Sequence, residues 1–227
     1  MKIVYLNAWR GTVKDQLLEF VKQQVDNTDV FCFQEATDEM KQLCKPVLNG
    51  YIEMSDHKSL SESHNFLQSI FIKKEIEVVS SGTLLADDME AGLAIYVEVK
   101  VGPDSVYICN MHGVAYPGDK LDDPVRIRQS EAVIKFFEDK QAPVIIGGDF
   151  NVNPDTQSIE MFEWFGYKNL IKDFNIETTR NHLAWDRFPT NKKYYSDYLF
   201  INDKIRCKEF RVLKVEVSDH LPLILEI

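Results

Sequence analysis

The order of apolar runs predicts an α/β protein built on mixed β-sheets. Three observations carry this. The chain opens with a strand, a helix and a second strand, the order of a βαβ unit. Midway, two apolar runs flank the turn sequence GPDS, as in an antiparallel hairpin. Later, VIIGGDFNVNP (Val144 to Pro154) begins as a continuous apolar run, the pattern of a strand covered on both faces.

The elements follow in order. Ile3 to Leu6 read as a short buried strand ending at Asn7. Val13, Leu17, Leu18, Val21 and Val25 recur at helical spacing, with Thr12 as N-cap and Asp15 near the positive end of the helix. DVFCFQEA is a second buried strand that stops at Gln34 and Glu35. Phe66 to Ile72, Ala94 to Val101 and Ser105 to Met111 are further strands. In the second of these, Ala94, Tyr96, Glu98 and Lys100 alternate with Ile95, Val97, Val99 and Val101, so one face is the more exposed. VRIRQSEAVIKFFEDK is helical, with Ile127, Ala132 or Val133, and Phe136 or Phe137 turned inward. Pro154 suits the first turn of a helix that runs to about Phe165. YLFI, FRVLKVEV and LPLILEI are late strands. No repeat, low-complexity tract or Pro/Gly/Ser-rich linker divides the 227 residues, so 1–227 reads as a single domain.

Composition narrows the function classes. A hydrophobic fraction of 44% with 11% aromatics supplies a full core. The 36 acidic and 26 basic side chains give a formal charge of -10, which argues against broad attraction to nucleic acid or anionic membrane. An anionic substrate stays possible, because a bound cation and a few arginines reverse the sign inside one cleft. Cys32, Cys44, Cys109 and Cys207 form no CxxC pair. Cys32 and Cys109 lie in apolar strand-like runs and read as buried, reduced thiols, which points to a cytoplasmic location. The four-residue apolar run before Asn7 is too short for a signal-peptide core, and no segment approaches a membrane span. A monomer is assumed.

The strand ends carry the chemistry. Successive strands stop at Asn7, Glu35, His112, and Asp149 with Asn151. Asp197 precedes YLF, and Asp219 and His220 precede the last strand. Extended-chain alternation puts Asp149 and Asn151 on one side and Phe150 on the other. These residue types suit hydrolysis of a phosphate ester. A carboxylate holds Mg²⁺ through hard oxygen donors. A second carboxylate orients or deprotonates water. Histidine and asparagine donate to phosphoryl oxygens as charge develops. Each residue alone also has an ordinary reading as a solvated strand end, a turn or a cap.

Taken in order, LNAW, FQEA, NMHG, GGDFNVNP, SDYLF and VSDHLPL resemble the motif series of the endonuclease/exonuclease/phosphatase superfamily of metal-dependent phosphodiesterases and phosphatases. That superfamily includes pancreatic-type deoxyribonucleases, neutral sphingomyelinases and inositol polyphosphate 5-phosphatases. The resemblance implies an αββα sandwich of two packed mixed sheets flanked by helices, with the site at one end of the sheets. It implies Mg²⁺ (Mn²⁺ as a substitute) held by Glu35, with Asn7 and Asp219 at or near the metal. It implies that Asp149 activates water, that Asn151 supports the phosphate, and that His220 contacts the phosphate while Asp197 orients it. His112 matches the second histidine of the deoxyribonuclease and sphingomyelinase branches. Arg126 and Gln129 match an Arg-x-x-Gln pattern, and Arg126 and Arg180 are candidate substrate-binding residues, each with a surface reading beside it. Trp9 and Arg10 either line the cleft or, for Trp9, join the core. His57, His64 and His182 have no motif support and read as surface or loop residues. The substrate is a phosphate ester, a small molecule or a nucleic acid. The dispersed basic residues favour a small or flexible ester, or a single strand, over a duplex.

Overall fold

A computed structural model describes residues 1–61 and 64–227, with His64 as backbone only. Two six-stranded mixed sheets pack face to face. The first contains β1 (Lys2–Asn7), β2 (Val30–Gln34), β3 (Tyr51–Ser61), β4 (His64–Lys73), β11 (Glu209–Val212) and β12 (Leu223–Glu226), in the order β11-β12-β1-β2-β4-β3. The second contains β5 (Val78–Leu84), β6 (Leu93–Val101), β7 (Asp104–His112), β8 (Val144–Asp149), β9 (Lys168–Asn169) and β10 (Asp197–Ile201), in the order β5-β6-β7-β8-β10-β9. The βαβ opening and the GPDS hairpin are both present: β1 and β2 are parallel, and β6 and β7 are antiparallel.

Strand alternation builds the layers. In β1, Ile3 and Tyr5 enter the core between the sheets, while Val4 and Leu6 face outward. In β2, Val30 and Cys32 face inward, and Phe31 and Phe33 outward. The outward set is covered by α1 (Lys14–Val25) and α2 (Asp38–Cys44) through Leu17, Phe20, Val21 and Met40. On the far side, α3 (Pro124–Glu138) and α4 (Gln157–Trp164) cover the second sheet with Val133, Phe137, Ile159 and Phe162. Strands buried on both faces must be apolar throughout, which is why VIIGG contains no polar side chain.

Several boundaries differ from expectation. Helix α1 begins at Lys14, and Thr12 caps nothing: its hydroxyl donates to the Trp9 carbonyl at 2.6 Å, closing a 3₁₀ turn at Trp9–Gly11. Helix α4 begins at Gln157, because its first N–H groups are answered by the distant Asp122 carboxylate, with Gln157 N at 2.6 Å and Ser158 N at 3.0 Å. Pro154 therefore lies in the preceding turn. Strands β3 and β5 carry too few apolar residues to announce themselves. They lie at sheet edges and are held by pairing with β4 and β6. FRVLKVEV pairs only to Val212 before leaving the sheet.

The two glycines of β8 do not form a turn. They permit close approach within the sandwich. A Cβ on Gly147 would fall 2.4 Å from Leu199 Cδ1 and 2.9 Å from Tyr5 Cε1 of the facing sheet, and Gly148 has φ 132. A bulkier residue at either position would push β8 away from its neighbours and misplace Asp149.

Candidate functional site

Register assembles the site before any side-chain detail. Parallel β7/β8 pairing puts His112 opposite Asp149, and antiparallel β8/β10 pairing puts Asp197 opposite Asp149. Three chemistry-bearing residues thus form one row across the end of the second sheet. Asn7 and Gln34 form the matching row on the first. Asn7 bridges the rows. Its Nδ2 donates to Asp149 Oδ2 at 3.0 Å and reaches Glu35 Oε1 at 3.4 Å, while its Oδ1 accepts the Trp9 N–H at 3.0 Å. Because a backbone N–H must meet an oxygen, the amide orientation is forced. Asn7 thus presents donors, not its carbonyl, to the two carboxylates, so the structure does not place it as a direct metal ligand.

The loop before β12 closes the site. An isolated bridge between Arg180 and His220 holds it. His220 Nδ1 lies 2.9 Å from both oxygens of Asp197, which sets the ring with Nε2 toward Asp149 Oδ2 at 3.6 Å. The Arg180 guanidinium donates to Asp219 at 2.7 Å through Nη2 and to its carbonyl at 3.1 Å through Nε. His112 places Nε2 3.8 Å from Asp149 Oδ2 and rests edge-on against Phe66, and its buried Nδ1 has no partner among the described residues.

Asp149 is shared by design. Its Oδ1 accepts the Asn151 N–H at 3.0 Å and the Ser196 hydroxyl at 2.5 Å, and its Oδ2 faces Asn7 and the two histidines. Phe150 turns into the core as alternation requires. Burial alone would raise the Asp149 pKa, but the positive charge of His220 and Lys120 outweighs it and holds the carboxyl well below its usual range. Burial, opposed by His220, leaves Asp197 raised. For His220, burial and Arg180 lower the pKa, yet Asp197, Asp149 and Asp219 together raise it.

Glu35, His112, Asp149, Asn151, Asp219 and His220 floor a cavity of about 720 Å³. Its walls include Trp9, Tyr116, Trp185 and Phe188, with Arg10, Arg187 and Lys193 among them. Trp9 thus lines the cleft and is not a core residue. Among the described residues, seven non-glycine positions have left-handed backbone, and five of them (Trp9, Arg10, Glu35, Lys120 and Asn151) line this cavity. Strain of that kind persists only where surrounding contacts over-determine it.

Arg126 is not in the cleft. It is 1% exposed, beneath the segment that borders the site, and donates to the carbonyls of Leu121 at 2.6 Å and Pro117. A guanidinium buried in this way, with both Nη groups held by the loop, does not line the cleft, so the expectation of substrate binding is corrected to a supporting role. Gln129 likewise supports the site from below, accepting the N–H groups of Gly92 at 2.6 Å and Val114 at 3.1 Å. His57 and His182 are exposed, and the side chain of His64 lies outside the described residues. Lys120 and Ser196 join the site without a sequence signal: Lys120 lies in the polar stretch PGDKLDD, which reads as a solvated loop, and Ser196 is an ordinary loop serine beside Asp197.

Among the described residues, one cluster brings metal-binding donors close together, and Glu35 and Asp219 line the same cavity beside it. Asp149, Asp197 and His220 offer ligand atoms within 4.8 Å of one another. Much of their capacity is already engaged, since Asp197 faces Nδ1 and Asp149 Oδ1 has two donors. Glu35 is freer: its carboxylate is 24% exposed and, among the described residues, meets only Asn7 at 3.4 Å and Arg10 at 3.6 Å. An all-oxygen set from Glu35 and Asp219 matches the chemistry of Mg²⁺.

A two-sheet sandwich with carboxylates, amides and histidines converging at one end of both sheets defines a class of phosphoesterase folds. The sequence profile of the Endonuclease/Exonuclease/phosphatase family matches residues 4–220, and the chain belongs to that family. Family members are metal-dependent phosphoesterases, nucleases or phosphatases. No curated protein matches by sequence. Among solved structures, an endonuclease/exonuclease/phosphatase from Bacteroides vulgatus is 17% identical with TM-score 0.77, over 99% of this chain and 97% of that one. The Bacteroides thetaiotaomicron mannosyl-6-phosphatase Bt3783 is 17% identical with TM-score 0.74, over 100% and 98%. D. rerio TDP2 complexed with single strand DNA product is 13% identical with TM-score 0.69, over 99% and 97%. At such identities the likeness shows the fold. No helix among the described residues is long and apolar enough to cross a membrane.

Proposed function

We propose that this protein is a Mg²⁺-dependent phosphoesterase that hydrolyses its substrate by in-line attack of water. The observation that carries the reading is Asp149, fixed at Oδ1 by Ser196 and Asn151 N–H, with Oδ2 turned to Asn7, His112 and His220. A carboxylate held so, and kept ionised by surrounding positive charge, accepts a proton from water and aims it. His220, oriented by Asp197, and His112 donate to the phosphoryl oxygens as charge develops. Glu35, with Asp219, would hold the metal, which when bound neutralises phosphoryl charge. Arg180 holds Asp219 in place and borders the cleft. No covalent enzyme intermediate is needed.

The cavity is larger than a phosphate and walled by aromatic rings, with cations beside them. That suits a phosphate ester with a sizeable, flexible organic group. The same walls support a second reading, a nuclease acting on single strands, because bases stack on aromatic faces while Lys and Arg track the backbone. The charge of -10 speaks against a duplex. All four cysteines are free, in keeping with a reducing, cytoplasmic setting. The test is hydrolysis of single- and double-stranded DNA, RNA, inositol phosphates, sugar phosphates, sphingomyelin and nucleotides with Mg²⁺, Mn²⁺ or EDTA, by wild type and His220→Ala. Turnover that EDTA and the substitution both abolish supports the reading. Turnover untouched by either overturns it.

A further inference from the structure

We propose that Lys120 is a positioning residue of the reaction centre: its ammonium orients Asn151 directly and Asp149 through Ser196, the two side chains that place the attacking water. The inference rests on the phosphoesterase reading above. Lys120 is 7% exposed, and its Nζ donates to Asn151 Oδ1 at 2.8 Å and to Ser196 Oγ at 2.6 Å. Ser196 Oγ lies 2.5 Å from Asp149 Oδ1.

Hydrogen-bond chemistry gives this chain a direction. An ammonium has only donors and a carboxylate only acceptors. The single hydroxyl proton of Ser196 must therefore point to Asp149, and its lone pair to Lys120. Asn151 is fixed by the same logic: with Oδ1 taken by Lys120, its Nδ2 faces the Gly113 carbonyl, at 3.1 Å. Without the ammonium, Ser196 is free to rotate and the Asn151 amide to flip.

The way Lys120 is delivered supports the same role. Its backbone is left-handed at φ 57, as is that of Asn151, and its carbonyl accepts the Asn153 N–H at 2.8 Å. Another well-anchored lysine shows what a purely structural ammonium looks like: Lys58 Nζ is answered by backbone carbonyls, including Leu85 at 2.6 Å, Ala91 at 2.9 Å and Gly92 at 3.1 Å. Lys120 is instead bound to two rotatable side chains, both in contact with the nucleophile-placing carboxylate or belonging to its strand end.

The test has two arms. The first needs neither metal nor substrate: the Asn151 side-chain amide is followed by NMR, assigned by its absence in Asn151→Ala. In wild type it should be a single, slowly exchanging pair, and in Lys120→Ala that protection should be lost. An unchanged signal overturns the proposal. The second arm measures kcat and KM on bis(p-nitrophenyl) phosphate and p-nitrophenyl phosphate. Lys120→Ala should lower kcat about 100-fold, the cost of a small misplacement of reacting groups, with KM within about twofold. Ethylammonium should restore part of kcat in Lys120→Ala and none in Ser196→Ala, whose own loss is smaller. A raised KM with kcat retained would show a substrate-binding cation instead, and a lowered melting temperature with kcat unchanged would show a structural one. Should Lys120→Ala fail to fold, Lys120→Met carries the NMR arm and Ser196→Ala the kinetic arm, and an unchanged Asn151 signal in the first or unchanged kcat in the second overturns the proposal. If wild type turns over no phosphate ester, the phosphoesterase reading fails, and the NMR arm still decides whether Lys120 orients Asn151.

Discussion

Lys120 and Arg126 are buried cations six positions apart, yet they are answered in opposite ways. The Nη groups of Arg126 are held within its own neighbourhood: by carbonyls of Pro117 and Leu121, and the carboxylates of Asp119 at 3.4 Å and Asp123 at 3.6 Å. It ties a loop to the start of α3. Lys120 reaches across the fold to Asn151 and Ser196. The difference teaches how to tell scaffold from site. A cation held by backbone carbonyls fixes the chain, whereas one held by rotatable side chains fixes those side chains.

Four experiments would break or sharpen that contrast. The largest effect belongs to the carboxylate that Lys120 reaches through Ser196. Asp149→Ala should cost about 10²- to 10⁴-fold in kcat with the fold intact, the range of a lost general base; kinetics alongside circular dichroism will check this, and full activity would remove Asp149 from the mechanism. Asp197→Asn, which leaves His220 in place without its anionic orienting partner, should cost about 10²-fold in kcat/KM. Arg126→Met should act on stability instead. Removing one member of a buried charged network costs about 3–5 kcal/mol, seen as a lower urea midpoint, while kcat per folded molecule stays within a few-fold. A loss of kcat without a loss of stability would place Arg126 with Lys120.

The smallest effect is a pH signature. Burial pushes the Lys120 ammonium down to about 8, below the roughly 10.4 of an unfolded lysine. Between those values the unfolded chain holds a proton that the folded chain does not, so this group makes stability rise with pH across that window. In EDTA, urea midpoints from pH 8 to 10.5 should show that component in wild type and lack it in Lys120→Met. Identical slopes would mean that Lys120 is not held as its burial implies.

Much of the site was legible because the signal was local. Asn7, Glu35, His112 and Asp149 each follow an apolar run that ends abruptly, and Asp197 and His220 each precede one. Strand burial and side-chain alternation follow from nearest neighbours. Where the signal is non-local, legibility stopped. Strand β3 is YIEMSDHKSLS, polar enough to read as a loop, and exists because β4 supplies its hydrogen bonds. Helix α4 starts where a carboxylate from Asp122 meets it, not where Pro154 suggested. Arg126 matched a pattern of residue types, and the pattern did not state which way the side chain points.

The sequence by itself determined which residues end buried strands, and hence which polar groups the core must present at its rim. It also determined the two-faced strands that need a second sheet and covering helices, since apolar residues on both sides of a strand have nowhere else to go. Only the tertiary structure decided how those rims meet: that Asn7 spans both sheets to Asp149, that the Glu35 carboxylate stays partly exposed in the cleft, and that Lys120, from a polar loop, is buried against Ser196, 76 positions away. The physical reason is range. Periodicity and strand ends are written in adjacent residues, whereas the partner of a buried charge is chosen by chain closure and desolvation, which no short stretch encodes.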